Sequence, residues 1–186
     1  FVASSLGSEF HWIRSGEFIE SKEWDERISA SGFSAQLVSD LINQIDTANI
    51  KLIKQKDIYQ GRYKSSFFLE CLSEKKFLED VETLKELVKK YPIKLMVTQC
   101  SPAAGDPDNY YDVEFLPVCC GKDEAVKFVK EFYGITTENS FAFGDSCNDL
   151  SMFSCVGNAF WVANADAAAR KNPYKIAAGA YCHGIL

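Results

Sequence analysis

Two acids and an amide follow a short apolar run in SFAFGDSCNDLSMF (residues 140–153). Asp145 comes directly after Gly144, and Asn148 and Asp149 follow within one helical turn. In open α/β sheets, ligands bind beside the carboxyl ends of the strands, so this stretch is placed where a ligand would be expected. Mg²⁺ takes oxygen ligands, usually one or two carboxylates together with phosphate oxygens of a substrate. The stretch therefore predicts a site for Mg²⁺ and phosphate.

The same residues allow two other interpretations. Asp145 and Ser146 could serve only to cap the helix that follows, and the residues alone leave this open. The Gly-Asp-Ser sequence is also typical of esterases with a serine nucleophile, which carry a later Asp-x-x-His pair. Neither His11 nor His183 stands three residues after an Asp. Because a serine without a base is not activated, we disfavour the esterase interpretation.

The elements around this stretch indicate a parallel sheet. After Pro117 the pattern alternates between short apolar strands and amphipathic helices with short links, which is typical of α/β folds. Strands are predicted at 140–143, 159–163 and 174–177, and helices at 123–133, 149–155 and 166–171.

The preceding part of the chain has a different character, which predicts a mixed α+β unit with a partly antiparallel sheet. Ser21 and Ser34 are candidate helix caps. The clearest helix, 74–90, has apolar residues along one face and charges on the other. Strands are predicted at 1–5, 9–13, 63–71, 94–100 and 110–116, and helices at 21–28, 34–45 and 74–90, with a polar loop at 101–109.

Composition narrows the function classes. The chain of 186 residues is 47% hydrophobic and 25% charged, as is usual for a globular protein. A net charge of −6 argues against broad binding to nucleic acid or to an anionic membrane. No apolar run approaches the roughly 18 residues of a membrane span. The seven cysteines show no CxxC spacing, which favours free thiols and a reducing cytoplasmic location over disulfides or zinc.

A longer pattern is more specific than any of these. Gly121-Lys122-Asp123-Glu124-Ala125 opens a helix, and Gly144-Asp145-x-x-Asn148-Asp149 and Asn164-Ala165 follow it. This pattern resembles the C-terminal part of haloacid dehalogenase superfamily phosphatases, in the branch of the sucrose-phosphate and Cof-type sugar phosphatases. SSLGSE near the N-terminus and RYKSSFFLE resemble segments of the same branch, and AAGDPDNYYDVEFLPVCCGKDEAVKF resembles an amino-sugar phosphatase.

The resemblance implies a fold and its division. It implies α/β architecture, with a partial Rossmann-like core built on a parallel sheet and a large inserted α+β cap. Residues 1–15 would be a remnant of the N-terminal core segment, 16–117 the cap that determines substrate specificity, and 118–186 the C-terminal part of the core. The implied activity is Mg²⁺-dependent hydrolysis of a small phosphorylated sugar or amino sugar.

The resemblance also implies roles for single residues. Lys122 would contact the transferring phosphoryl group, and Asp145 would bind Mg²⁺ directly. Asp149 would support the metal or orient Lys122, and Asn148 would contact the substrate phosphate. In the cap, the candidate sugar contacts are Lys64, Arg62 and Asp108.

The nucleophile of the resembled family is an aspartate in an Asp-x-Asp that precedes the SSLGSE region. The only Asp-x-Asp here is Asp106-Pro107-Asp108, which follows no apolar strand and has the composition of a turn. We therefore expect an N-terminally truncated phosphatase that is inactive as given. The alternative is a non-catalytic phosphate- or sugar-binding protein, or a scaffold, on the same fold.

Overall fold

The computed structural model describes residues 1–100 and 105–185, and these form two units, Phe1–Gly121 and Lys122–Leu186. The start of the predicted polar loop, 101–104, lies outside the described residues. The boundary between the units falls immediately before Lys122, close to the predicted start of the C-terminal core segment at 118. Within the described part, no helix has the length and apolar character needed to cross a membrane.

The first unit begins with a small antiparallel sheet of three strands in the order β1-β2-β3. These are β1 (Val2–Ser4), β2 (Glu9–Arg14) and β3 (Glu17–Glu20). Strand β3, which a two-residue turn joins to β2, was not predicted from the sequence. Ser15 and Gly16 of that turn both have positive φ angles, 53° and 83°, as a tight hairpin with matching twist requires.

Three α-helices follow in the first unit, and a serine directly precedes each of them. They are α1 (Lys22–Ala30), α2 (Ala35–Thr47) and α3 (Glu74–Val88). The side chains of Ser21, Ser34 and Ser73 accept hydrogen bonds from backbone N–H groups in the first turns of these helices. The predicted caps Ser21 and Ser34 are confirmed, because the hydroxyl satisfies a donor that has no partner within the helix.

A four-stranded antiparallel sheet completes this unit, in the order β4-β5-β7-β6. Its strands are β4 (Leu52–Lys54), β5 (Ser65–Glu70), β6 (Ile93–Gln99) and β7 (Tyr110–Pro117). The helices α2 and α3 pack on one face, in a core that includes Leu41, Leu84, Phe67, Val113 and Phe115. Because side chains alternate across a strand, the other face receives Ser66, Asp112 and Glu114. Strand β4 has only three residues and was not predicted from the sequence.

The second unit is a parallel sheet in the order β10-β9-β8, with helices between its strands. It comprises α4 (Lys122–Tyr133), β8 (Phe141–Gly144), α5 (Leu150–Phe153), β9 (Asn158–Trp161) and β10 (Lys175–Ile176). A 3-10 turn, Cys147–Asp149, leads into α5. The core of this unit contains Ala142, Phe153, Trp161, Val162, Ala165 and Ala169.

One predicted helix of the second unit is wrong. The segment 166–171 contains only a 3-10 turn, Ala169–Lys171. The side chain of Asp166 accepts a hydrogen bond from the backbone N–H of Ala169 at 2.6 Å, which closes a local turn. Pro173 follows shortly after, and it disfavours helical geometry at Asn172. The segment is therefore too short and too constrained to continue as an α-helix.

Candidate active site

The carboxyl end of β8 is fixed by hydrogen bonds from the segment after β9. The backbone N–H of Val162 donates to the Gly144 carbonyl at 3.0 Å, and that of Asp166 donates to the Asp145 carbonyl at 2.8 Å. These bonds hold the main chain of Asp145 while its side chain remains exposed. The strand thus ends with a carboxylate directed to solvent on a fixed backbone.

The carboxylate of Asp149 lies beneath this strand end and is 95% buried. Its Oδ2 accepts hydrogen bonds from the backbone N–H groups of Asp145 at 3.0 Å and Ser146 at 3.3 Å. Its Oδ1 accepts a hydrogen bond from the ammonium of Lys122 at 2.5 Å. Both oxygens of Asp149 are therefore engaged, and the residue ties the loop to the lysine.

Gly144 is required here because Asp149 packs directly against it. A Cβ added at Gly144 would lie 2.6 Å from the Cβ and Oδ2 of Asp149, well inside van der Waals contact. The φ angle of Gly144 is not among the positive values in the chain. The glycine is therefore needed for the close approach of a buried carboxylate and not for a positive φ angle.

Lys122 reaches this loop from the first position of α4. Its Nζ donates to Asn148 Oδ1 at 2.7 Å as well as to Asp149, and 30% of its side chain is exposed. An ammonium held by two acceptors and still partly open to solvent can receive an anionic ligand. The fold thus brings Lys122, Asn148 and Asp149 together, and the roles that the resemblance implies for them stay predictions.

The amide of Asn148 is oriented by two donors. Its Oδ1 accepts hydrogen bonds from Lys122 and from the hydroxyl of Ser146, the latter at 2.9 Å. An amide nitrogen in the place of Oδ1 would face the two donors of Lys122 and Ser146. The amide oxygen of Asn148 therefore points to Lys122, and its Nδ2–H group points away from Lys122. Ser146, which was absent from the predicted site, therefore acts on the site through Asn148.

A shallow pocket of about 240 Å³ lies beside the strand end. Asp145 and Asp149 line it together with Asn164, whose Oδ1 accepts a hydrogen bond from the backbone N–H of Tyr181 at 2.6 Å. The remaining lining residues are Phe143, Gly144, Val162, Tyr181 and Ile185. The pocket is wide enough for a small hydrated ion or a phosphate group, and its mainly apolar lining includes the carboxylate of Asp145.

These residues fit a hard divalent cation at Asp145. An exposed carboxylate next to an open pocket suits Mg²⁺, which retains several waters and takes one or two protein oxygens. The oxygens of Asp149 are less available to a cation than those of Asp145. Its Oδ2 accepts two hydrogen bonds, and its Oδ1 accepts the bond from Lys122. The geometry favours Asp145 as the direct ligand and Asp149 as the residue that positions Lys122.

The predicted sugar contacts lie in the first unit. Lys64 forms an ion pair with Glu114, with a distance of 3.3 Å between Nζ and Oε1, and each side chain is only 13% exposed. Arg62 is more exposed, pairs with Asp25 at 3.2 Å and lies over the ring of Tyr63. Asp108 accepts a hydrogen bond from the backbone N–H of Asn109 at 3.0 Å, within an exposed turn.

The prediction overlooked the acids that accompany Lys64 on the polar face of the four-stranded sheet. Ser66 donates to Glu114 Oε1 at 3.3 Å, and Gln55 donates to Asp112 Oδ1 at 2.7 Å. Alternating acids in an otherwise apolar strand, in YYDVEFLP, were the available signal. This strand therefore presents acids in a partly buried, hydrogen-bonded setting.

Burial controls the ionisation of these acids. It raises the pKa of Glu114, and the ammonium of Lys64 opposes the rise. Burial likewise raises the pKa of Asp112, against the hydrogen bond from Gln55 and together with the charge of Asp106. Burial and the carboxylates of Asp112 and Asp106 raise the pKa of Cys100 to about 12. Burial thus favours the protonated form of both acids on this face, and Lys64 favours the ionised form of each.

Comparison with known proteins covers the entire chain. The family described as sucrose-6F-phosphate phosphohydrolase matches residues 1–186. Kanosamine-6-phosphate phosphatase of Bacillus subtilis (strain 168) is 34% identical over 187 residues, which span 100% of this chain and 66% of that protein. An uncharacterized hydrolase of Staphylococcus aureus (strain N315) is 26% identical over 190 residues, with 99% and 69% covered.

Solved structures give a consistent picture of the fold. A haloacid dehalogenase-like hydrolase from Bacillus subtilis superposes with a TM-score of 0.68 at 32% identity, over 98% of this chain and 65% of that one. The sucrose-phosphatase of Synechocystis sp. PCC6803, in complex with sucrose and phosphate, superposes with a TM-score of 0.69 over 97% of this chain and 69% of that one. At 18% identity, the second likeness concerns the fold alone. The chain spans about two thirds of the length of these relatives.

Proposed function

The chain belongs to the sucrose-6F-phosphate phosphohydrolase family, and from this premise we propose that it is part of a Mg²⁺-dependent phosphatase acting on a small phosphorylated sugar. The predicted relationship to haloacid dehalogenase phosphatases is confirmed, as is the α/β fold. The named relatives are phosphatases or hydrolases, which favours an enzyme over a non-catalytic binder.

The observation that carries the proposal is the ammonium of Lys122, held between Asn148 and Asp149 beside Asp145. Phosphoryl transfer spreads negative charge over the equatorial oxygens of the transferred group. Groups fixed in advance stabilise that charge better than mobile ones, because they need no reorganisation during the reaction. The bond to the buried carboxylate of Asp149 supplies such fixation to Lys122.

Each residue then has a defined task. Lys122 binds a phosphate oxygen, and the Nδ2–H group of Asn148 donates to another. Asp149 orients Lys122 and stays shielded from the substrate. Asp145 would hold Mg²⁺, which when bound neutralises charge on the phosphate oxygens. The predicted metal role of Asp149 stays a prediction, and the geometry supports positioning as its main role.

We do not assign the attacking carboxylate to any residue of this sequence. The Asp-x-Asp at 106–108 lies in the first unit, where Asp108 takes part in an exposed turn rather than following a strand. The residues of the second unit would therefore bind and orient phosphate, and the 186-residue chain alone should show negligible turnover. Activity is accordingly tested in the full-length protein.

The substrate class we propose is a sugar or amino-sugar phosphate. The carboxyl groups of Asp112 and Glu114 on the polar face could bind sugar hydroxyls or an ammonium group. Lys64 remains the proposed sugar contact of the first unit, together with Arg62 and Asp108. The name of the Bacillus subtilis relative, a kanosamine-6-phosphate phosphatase, is consistent with an amino-sugar substrate.

The test is phosphate release by the full-length protein from matched pairs of sugar and amino-sugar phosphates, with and without Mg²⁺. Lys122→Met should lower kcat by a factor of about 100 to 1,000, the typical loss for one preorganised electrostatic group. Lys127→Met is the matched control, because Lys127 pairs with acids on the exposed side of α4. Binding of sugar phosphates without any Mg²⁺-dependent turnover would instead identify a non-catalytic binder.

A further inference from the structure

A pair of adjacent cysteines, Cys119 and Cys120, follows β7 and takes no part in the phosphatase site. Cys120 is fully buried, whereas Cys119 is partly exposed. The backbone N–H of Cys120 donates to the Pro117 carbonyl at 2.9 Å, which closes a turn after the strand. The two thiols thus share one turn, with one side chain accessible and the other enclosed.

The end of α1 lies against the accessible thiol. When protonated, Cys119 donates its S–H to the Arg27 carbonyl at 3.7 Å. When ionised, its sulfur can accept hydrogen bonds from the thiol of Cys120 and the hydroxyl of Ser31, near the Arg27 guanidinium. These donors, led by Cys120, lower the pKa of Cys119 against the opposing effect of burial. The pKa of Cys120 is raised, first by its bond to Cys119 and then by burial.

We propose that Cys119 and Cys120 form a redox modification site, in which Cys119 reacts with hydroperoxides and Cys120 resolves the product. The arrangement has the features of a reactive pair: an accessible sulfur with thiolate character, near a cation, and a second thiol adjacent to it. The other exposed cysteines, Cys147 and Cys182, have no adjacent cysteine in the sequence.

The chemistry takes two balanced steps. The Cys119 thiolate attacks a peroxide oxygen, so that an S–O bond forms, the O–O bond breaks and hydroxide leaves. The Cys119 sulfur is oxidised to a sulfenic acid and the peroxide is reduced. Cys120 sulfur then attacks the Cys119 sulfur, forming an S–S bond and breaking the S–O bond. The hydroxyl group leaves as water with the proton of the Cys120 thiol.

The resulting ring should be reduced readily. Adjacent Cα atoms are about 3.8 Å apart across a trans peptide, whereas disulfides usually join Cα atoms about 4.4–6.8 Å apart. The strain favours reduction by a dithiol, so the modification is reversible.

The test treats the reduced chain with equimolar hydrogen peroxide and maps the products by mass spectrometry. Cleavage after Glu114 and Glu124 separates the pair from Cys100. The unmodified sequence should lose two of its seven thiols and two hydrogen atoms from the peptide containing Cys119 and Cys120, and dithiothreitol should restore both. In Cys120→Ser, dimedone should label Cys119, because the sulfenic acid is no longer resolved. Cys119→Ser should show neither product.

Cys182→Ser is the matched control and should keep the response of the unmodified sequence. Oxidation at Cys100, Cys147 or Cys182 with Cys119 and Cys120 still reduced would overturn the proposal. An unchanged thiol count after treatment would overturn it equally. Circular dichroism of each serine variant before treatment excludes unfolding as the origin of any difference.

Discussion

The carboxylate of Asp149 offers the sharpest test of the site, through Asp149→Asn. Three donors surround its two oxygens: the ammonium of Lys122 and the backbone N–H groups of Asp145 and Ser146. An amide of the same shape has only one acceptor oxygen. If the amide oxygen accepts from the two backbone N–H groups, the amide NH₂ faces the ammonium of Lys122. If the oxygen accepts from Lys122, the two backbone N–H groups lose their acceptor.

The expected cost follows from the bonds that are lost. A hydrogen bond to a charged group contributes about 1.5–3 kcal/mol, and an unsatisfied buried donor costs about 1–3 kcal/mol. Lys122 is partly exposed and keeps Asn148 as an acceptor, so water and that amide offset part of the loss. We therefore expect Asp149→Asn to lower the free energy of unfolding of the second unit by about 2 kcal/mol.

The assay is urea unfolding without metal, in a background where Trp12 and Trp24 are replaced by phenylalanine. Trp161, fully buried in the second unit, then reports on that unit alone. Hydrogen exchange of the Asp145 and Ser146 amides gives a second measurement, since both should exchange faster in the variant. Asp145→Asn is the matched control: its side chain is exposed, and a change within about 0.5 kcal/mol is expected.

Two results would refute this reasoning. One is an Asp149→Asn variant with the stability and amide exchange of the parent. The other is an Asp145→Asn variant that is destabilised as strongly as Asp149→Asn. In the full-length enzyme both changes should impair turnover, so the stability measurement without metal separates the positioning residue from the proposed ligand.

Gly144→Ala should destabilise the second unit by about 1–3 kcal/mol in the same urea assay, because its new Cβ would overlap Asp149; unchanged stability would show that the loop moves aside freely. Glu114→Gln tests the polar face of the first unit by thermal unfolding between about pH 4 and pH 7. The folded pKa of Glu114 is raised by burial, so the folded state holds the proton more tightly than the unfolded state. The stability contributed by this group is present below the unfolded pKa, about 4.3, and is lost as the pH rises through the folded pKa. The parent should therefore lose stability relative to Glu114→Gln as the pH rises; the opposite trend would mean that pairing with Lys64 outweighs burial.

Long amphipathic elements were predictable from the sequence. Helix α3 has an apolar face along its length, and the side chain of Ser73 accepts a hydrogen bond from the backbone N–H of Lys76 at its start. The short strands β3 and β4 were missed, because they contribute few residues and depend on partners elsewhere in the sheet. The predicted helix at 166–171 was wrong, because Pro173 disfavours helical geometry at Asn172 and only a 3-10 turn, Ala169–Lys171, fits before it.

The candidate site residues could be named from the sequence: an acid after a strand, an amide and an acid one turn later, and a lysine at the start of an earlier helix. The family was inferred from the resemblance that these residues carry. The different surroundings of the two acids became visible only in the folded protein. Burial and three donors engage Asp149, whereas exposure leaves Asp145 available to a metal. Burial and hydrogen bonding depend on neighbours distant in the chain, such as Lys122, so no local pattern contains them.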